Sequence, residues 1–93
     1  MGGVVFNQIL HLVACGYTVN FSRADEYGNG NKTLRIELRD GEYRHVEFVD
    51  MSVAALSNMY DSAQANTEYF ISRALTRARD ELDYYIKNLE DAE

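Results

Sequence analysis

The sequence predicts a single α+β domain spanning residues 1–93: an N-terminal helix, a three-stranded antiparallel sheet and two C-terminal helices, in the order αβββαα. Three observations predict it. Residues 4–15 carry apolar side chains around about three quarters of a helical circumference. Residues 17–49 alternate apolar and polar side chains in three runs separated by glycine-bearing turns. Towards the end of the chain, Ile71, Leu75, Ala78, Leu82, Tyr85 and Leu89 follow one another at steps of 4, 3, 4, 3 and 4, an amphipathic helix with a near-heptad seam. Ninety-three residues, 46 % hydrophobic and 12 % aromatic, suffice for one two-layer core and are too few for two.

In the first helix the polar positions Asn7, Gln8, His11 and Cys15 fall in one narrow stripe, so the helix is expected to be almost entirely buried. Gly16 suits the left-handed residue that ends such a helix, and residues 17–22 then alternate as a half-buried strand does. Residues 24–31, with Gly28, Asn29, Gly30 and Asn31, read as an exposed hairpin loop. They are not a phosphate cradle, because they lie between two strands and end in Lys32 without a Walker pattern. Residues 33–39 form the second strand, with Leu34, Ile36 and Leu38 on one face and Arg35, Glu37 and Arg39 on the other; residues 43–49 form the third.

Two registers suit the second hairpin. A two-residue Asp40-Gly41 turn would pair Arg39 with Glu42 and Glu37 with Arg44, placing His45 and Glu47 on the Leu34, Ile36 face. A three-residue loop, Arg39 to Gly41 with Gly41 left-handed, would place Val46 and Phe48 there instead. The second is preferred, since burying two apolar side chains is worth roughly 3–5 kcal/mol and an exposed ion pair about 0.5 kcal/mol.

Asp50 or Ser52 is expected to cap a helix over residues 52–64 with Val53, Leu56, Met59, Tyr60 and Ala63 at helical spacing. That stripe is out of phase with Ile71 and Leu75. The slip falls near Asn66 and Thr67, where Thr67 could cap a new helix, so residues 52–92 read as two helices with a short break or as one long bent helix.

A net charge of −6 and a pI near 4.8 argue against direct binding of nucleic acid or an anionic membrane and favour basic partners. One cysteine permits no internal disulfide and suits a reducing cytoplasm, though it would allow a cross-linked dimer. The start lacks the basic region of a signal peptide, and its apolar run is too short for a membrane span, so the protein reads as soluble and cytoplasmic.

Little in the sequence carries catalytic chemistry, and the expectation is a protein that is not an enzyme and needs no cofactor or metal. His11 and Cys15 are four apart, a spacing that could share a metal or form a thiolate–imidazolium pair, but His45 is the only other histidine. Cys15 is read as a small buried residue and His11 as a boundary residue. Ser22, Ser52, Ser57, Ser62 and Ser72 have no nucleophile motif around them. Arg73, Arg77 and Arg79 form a small basic patch expected to pair with Asp80 and Glu81 along the helix.

The acidic C-terminal end is the surface with the sharpest functional reading. From Asp80 on, Asp80, Glu81, Asp83, Glu90, Asp91 and Glu93 face one cation, Lys87, whereas residues 1–22 contain no Asp, Glu, Lys or Arg. On a helix, Asp80, Asp83 and Glu90, with Glu81 beside them, place carboxylates about 6 Å apart per turn, comparable with the roughly 7 Å between successive phosphates of a nucleic-acid strand. Such a face could fill a basic groove that normally takes DNA or RNA; the plainer reading is a solvated helix end. Tyr69, Tyr84 and Tyr85 near it favour an interface.

A short apolar helix running into GYTVNFS (16–22), a DGEY turn (40–43) and EYFISRAL (68–75) opening an acidic helical end resemble the small acidic proteins of phages and prophages. Among these the chain is most similar to the DNA-mimicking, Cas9-blocking anti-CRISPR inhibitors, in order of elements from Ile9 to about Leu75 and in a handful of letters. The resemblance implies a non-catalytic inhibitor whose acidic side chains fill the basic nucleic-acid site of a CRISPR effector or other host defence nuclease. By position the partner-binding residues would be Asp25, Glu26, Asp40 and Glu42 in loops and Asp80, Glu81, Asp83 and Tyr84 on the helix. Two features depart from it: the helix over residues 52–64 is an extra piece, and the heptad-like end suggests self-association. The alternative is therefore a small structural or assembly protein that homodimerises through Ile71, Leu75, Leu82 and Leu89.

Overall fold

In the computed structural model, which describes residues 3–24 and 32–92, the chain forms α1 (Val4–Ala14), β1 (Thr18–Arg23), β2 (Thr33–Asp40), β3 (Tyr43–Asp50), α2 (Met51–Ala55) and α3 (Ala63–Asp91). It is the α+β order that the sequence predicts. The sheet is antiparallel in the order β1-β2-β3, and α3 crosses one face of it with α1 alongside. The core between the layers is built from Leu12 of α1, Ile36 and Leu38 of β2, Val49 of β3, Ala54 of α2, and Ala74, Leu75, Ala78 and Leu82 of α3. Ala74 and Ala78 lie one turn apart on the buried side of α3, and their small side chains let that helix come close to the sheet.

Helix α1 ends in a Schellman motif. The Tyr17 amide donates to the Leu12 carbonyl and the Gly16 amide to that of Val13, each at 3.0 Å, with Gly16 at φ 99°. The expectation that α1 is almost entirely buried is overturned: Leu12 alone is fully buried, Val5 and Ile9 pack partly on the core, and Phe6, Leu10 and Val13 stand exposed. One sheet face is shared between two helices, so neither can be enclosed. Ala24, assigned to an exposed loop, is buried, its amide donating to the Thr33 carbonyl; the rest of that loop lies outside the described residues.

The β2–β3 register overturns the preferred three-residue loop and keeps the facing of the two-residue alternative, with His45 and Glu47 on the Leu34, Ile36 face, but shifts its turn by one residue. Asp40 pairs with Tyr43, leaving Gly41 (φ 63°) and Glu42 as a two-residue turn whose first position glycine suits. Val49, Glu47, His45 and Tyr43 therefore share the helix-covered face with Leu34, Ile36 and Leu38, while Val46 and Phe48 lie on the opposite face. The preferred three-residue loop rested on treating ion pairs as exposed and weak. In the observed register Val49 and Tyr43 supply the apolar burial instead. Glu47 accepts from Arg77 of α3 and pairs with His45, and Glu37, 6 % exposed, sits among Arg35, Arg39 and Arg44 at 3.1, 3.7 and 3.6 Å.

Helix α2 is five residues long rather than thirteen. Asp50 caps it as expected, accepting from the Ser52 and Val53 amides. Residues 56–62 are non-helical because the buried Asn66 side chain offers their backbone other partners: it donates to the Ser57 carbonyl and accepts from the Tyr60 amide, both at 2.6 Å. Val53, Leu56, Met59 and Tyr60, expected as a buried stripe, are exposed. Two helices are thus separated by a connection. The second begins with Ser62 as its cap, and Thr67 lies inside it with its hydroxyl on the Ala63 carbonyl.

Candidate functional site

Helix α3 has 29 residues, about 43 Å at 1.5 Å per residue, against about 26 Å for an eight-residue strand. It runs antiparallel to β3: Arg77 reaches Glu47, and further on the Tyr85 ring meets Tyr43 edge to face at 6.0 Å. Its C-terminal part therefore passes the β2–β3 turn and continues beyond it. One end of the molecule gathers that turn, the last four turns of α3 and the junction of α1 with β1.

There Glu42 from the turn and Glu81 from α3 line a cleft of ≈ 370 Å³ together with Tyr43, Arg44, His45 and Tyr85. Asp40 is exposed at the same turn, and Asp80 and Tyr84 are exposed on the outer side of α3, Tyr84 at 66 %. Asp83 is turned elsewhere. Residues two apart on a helix do not share a face, and Asp83 leaves the flank opposite Glu81 to accept a hydrogen bond from the Tyr17 hydroxyl and pair with Arg79 at 3.6 Å. Arg79 also lies over the Tyr17 ring, 5.6 Å from its centroid. Burial first, and then the bond to Asp83, raise the Tyr17 pKa above its ordinary value.

The eight residues assigned to partner binding are thus divided. Glu42 and Glu81 come together, Asp40, Asp80 and Tyr84 surround them, Asp83 is held by Tyr17 and Arg79, and Asp25 and Glu26 lie outside the described residues. The anticipated pairing of the basic patch along α3 holds for Arg79 alone, and with Asp83 in place of Asp80 or Glu81; Arg77 bonds Glu47 of β3 at 3.1 Å, and Arg73 stacks on Tyr69 at 5.7 Å. Three of the four seam residues pack in the protein's own core. Leu75 and Leu82 are fully buried, Ile71 is half-buried on the same core, and Leu89 is partly exposed near the helix end.

Sequence reasoning missed the cluster of Arg35, Arg39 and Arg44 around Glu37. The signal was the alternation Arg35, Glu37, Arg39 on one strand face; Glu37 is set against Arg44 only in the two-residue-turn alternative, and that pairing is valued there as an exposed one. Cys15, expected to be buried, is exposed, with its Sγ 3.7 Å from His11 Nε2; it lies at the C-cap of α1, past the last buried turn. Among the described residues no three or more His, Cys, Asp or Glu side chains are grouped so as to hold a metal ion, and no helix is long and apolar enough to cross a membrane. No protein-family model matches the chain, no curated protein is significantly similar to it, and no solved structure is significantly similar in fold.

Proposed function

We propose that this protein is a non-catalytic binding protein that inserts its acidic, tyrosine-bearing end into a basic site of a partner protein, of the kind that otherwise holds nucleic acid. The observation that carries the reading is the meeting of Glu42 and Glu81 in one cleft beside Tyr43 and Tyr85, with Asp80 and Tyr84 exposed next to it. Two elements distant in sequence supply carboxylates to one surface, and tyrosines supply contact area at low entropic cost. Carboxylates on a fixed helix and a tight turn need little reordering on docking. The resemblance to DNA-mimicking anti-CRISPR inhibitors directs the proposal to CRISPR effectors and other host defence nucleases, in the host cytoplasm, with the protein acting as an inhibitor.

The test is a DNA-cleavage assay of a CRISPR effector with wild-type protein and with Glu42→Gln/Asp80→Asn/Glu81→Gln. The reading expects inhibition that weakens steeply with salt, competes with DNA and is lost in the triple variant, by roughly 1–3 kcal/mol per buried carboxylate removed. Inhibition by both proteins alike, or binding that DNA does not compete, would refute the mimicry. Asp83→Asn belongs in a separate variant, because it disturbs the contact with Tyr17.

A further inference from the structure

Strand β1 is an edge of the sheet, and among the described residues its outer side is paired with no other strand. Edges are ordinarily blunted by charge, proline or a bulge. The opposite edge, β3, carries Arg44, Glu47 and Asp50, whereas β1 reads Thr-Val-Asn-Phe-Ser-Arg with its one charge at the last position. Helix α1 packs beside β1 and against α3, and its orientation is fixed by Gln8, whose Nε2 donates to the Ser72 carbonyl and Thr76 hydroxyl of α3 at 3.1 and 3.0 Å. At about 100° per residue, Leu12, Val5 and Ile9 follow Gln8 round the helix into the core. Val13, Phe6 and Leu10 come next, on the flank opposite α3. These three are 53 %, 61 % and 51 % exposed. An apolar helical stripe and the edge strand β1 thus lie on one side of the molecule.

We infer that this side is a self-association surface, on which a second copy of the chain pairs its own β1 antiparallel to the first and packs its α1 against the Phe6, Leu10, Val13 stripe. The result is a two-fold dimer with a continuous six-stranded sheet. Charge supports the choice of occupant. Each copy carries −6, but residues 3–22 contain no charged side chain, so the contact sets no like charges against each other. The acidic part of α3 lies at the Tyr17 end of β1, as the Tyr17–Asp83 bond shows. Antiparallel pairing of two β1 strands therefore sends the two acidic ends to opposite ends of the joined sheet. The available flank, one six-residue strand of about 20 Å with an 11-residue helix of about 16 Å beside it, is small. It falls at the low end of specific interfaces, so association is sought from micromolar to millimolar concentration. It is independent of the proposed acidic binding site.

Sedimentation equilibrium of the full chain from about 5 µM to 1 mM tests it, with hydrogen exchange read at both limits. The expected result is a rise from 10.6 kDa towards twice that mass, with slower exchange at alternate β1 amides as concentration rises. Phe6→Glu/Leu10→Glu, confirmed as folded by circular dichroism, should weaken association at least tenfold, and Leu89→Asp should leave it unchanged. A monomer throughout, a dimer that survives the Phe6, Leu10 variant, or one in which β1 exchange ignores concentration would overturn the inference. So would binding of the stripe to phosphatidylcholine vesicles by a protein that does not self-associate.

Discussion

The Tyr17 hydroxyl donates to the Asp83 carboxylate across 66 positions of sequence, tying the start of the sheet to the long helix where that helix begins to outrun it. Tyr17→Phe removes this bond and should cost about 1 kcal/mol, read as a lower urea midpoint at pH 7 with unchanged slope. The folded state raises the Tyr17 pKa, so it holds the phenolic proton more tightly than the unfolded chain does. That contribution is complete below the unfolded value near 10 and is lost as pH rises through the folded one. Wild type should therefore lose stability above about pH 10 more steeply than Tyr17→Phe, and parallel curves would count against the bond.

Glu37 balances three guanidinium groups from a position that is 6 % exposed. Glu37→Ala should cost about 2–3 kcal/mol by chemical denaturation, because it leaves Arg35, Arg39 and Arg44 crowded without a counter-charge. Arg44→Ala, at the exposed rim, should cost under about 1 kcal/mol. Equal effects would mean that the cluster is ordinary surface pairing.

Asn66→Ala should release the connection between α2 and α3. Loss of two hydrogen bonds to a buried amide predicts about 2 kcal/mol, with faster hydrogen exchange at the Tyr60 amide. Unchanged exchange there would show that the connection holds itself.

Leu75→Ala should lower stability by about 2–5 kcal/mol without altering the association state, since Leu75 packs wholly inside one copy. Leu82→Asp should prevent folding. A folded Leu82→Asp monomer would instead place the seam between copies.

Cys15 is exposed at the end of α1, so a neutral-pH thiol reagent should label it in native protein at a rate close to that in the denatured chain. Labelling that requires denaturant would restore the buried reading.

Element order was legible because turns and periodicity are local signals. Gly16 and Gly41 take the positive φ that their turns require, and the Ile71 to Leu89 spacing gave α3 its face. What local pattern could not supply was competition between elements. Asn66 reads as the point where two helices part until residues 57–60 are brought to its side chain, and α1 looks buried until α3 takes the centre of the sheet. The hairpin register turned on Glu37, whose burial under arginines depends on both neighbouring strands. At the candidate site, Glu42 and Glu81 were both named, but only the path of α3 past the turn joins them and sends Asp83 the other way.

The last turns of α3 lie beyond the strands and close on Glu90 and Asp91, with no basic residue in the final turn. Carboxylates there oppose the partial negative charge that the helix's own carbonyls present at that end. Helix α3 should consequently fray from its last turn, and a cation brought to it would relieve both the carboxylates and the carbonyls at once. Salt or acid alone should then lengthen the helix, visible as a gain in ellipticity at 222 nm without any partner, so that the reach of this end is set by the ionic conditions around it.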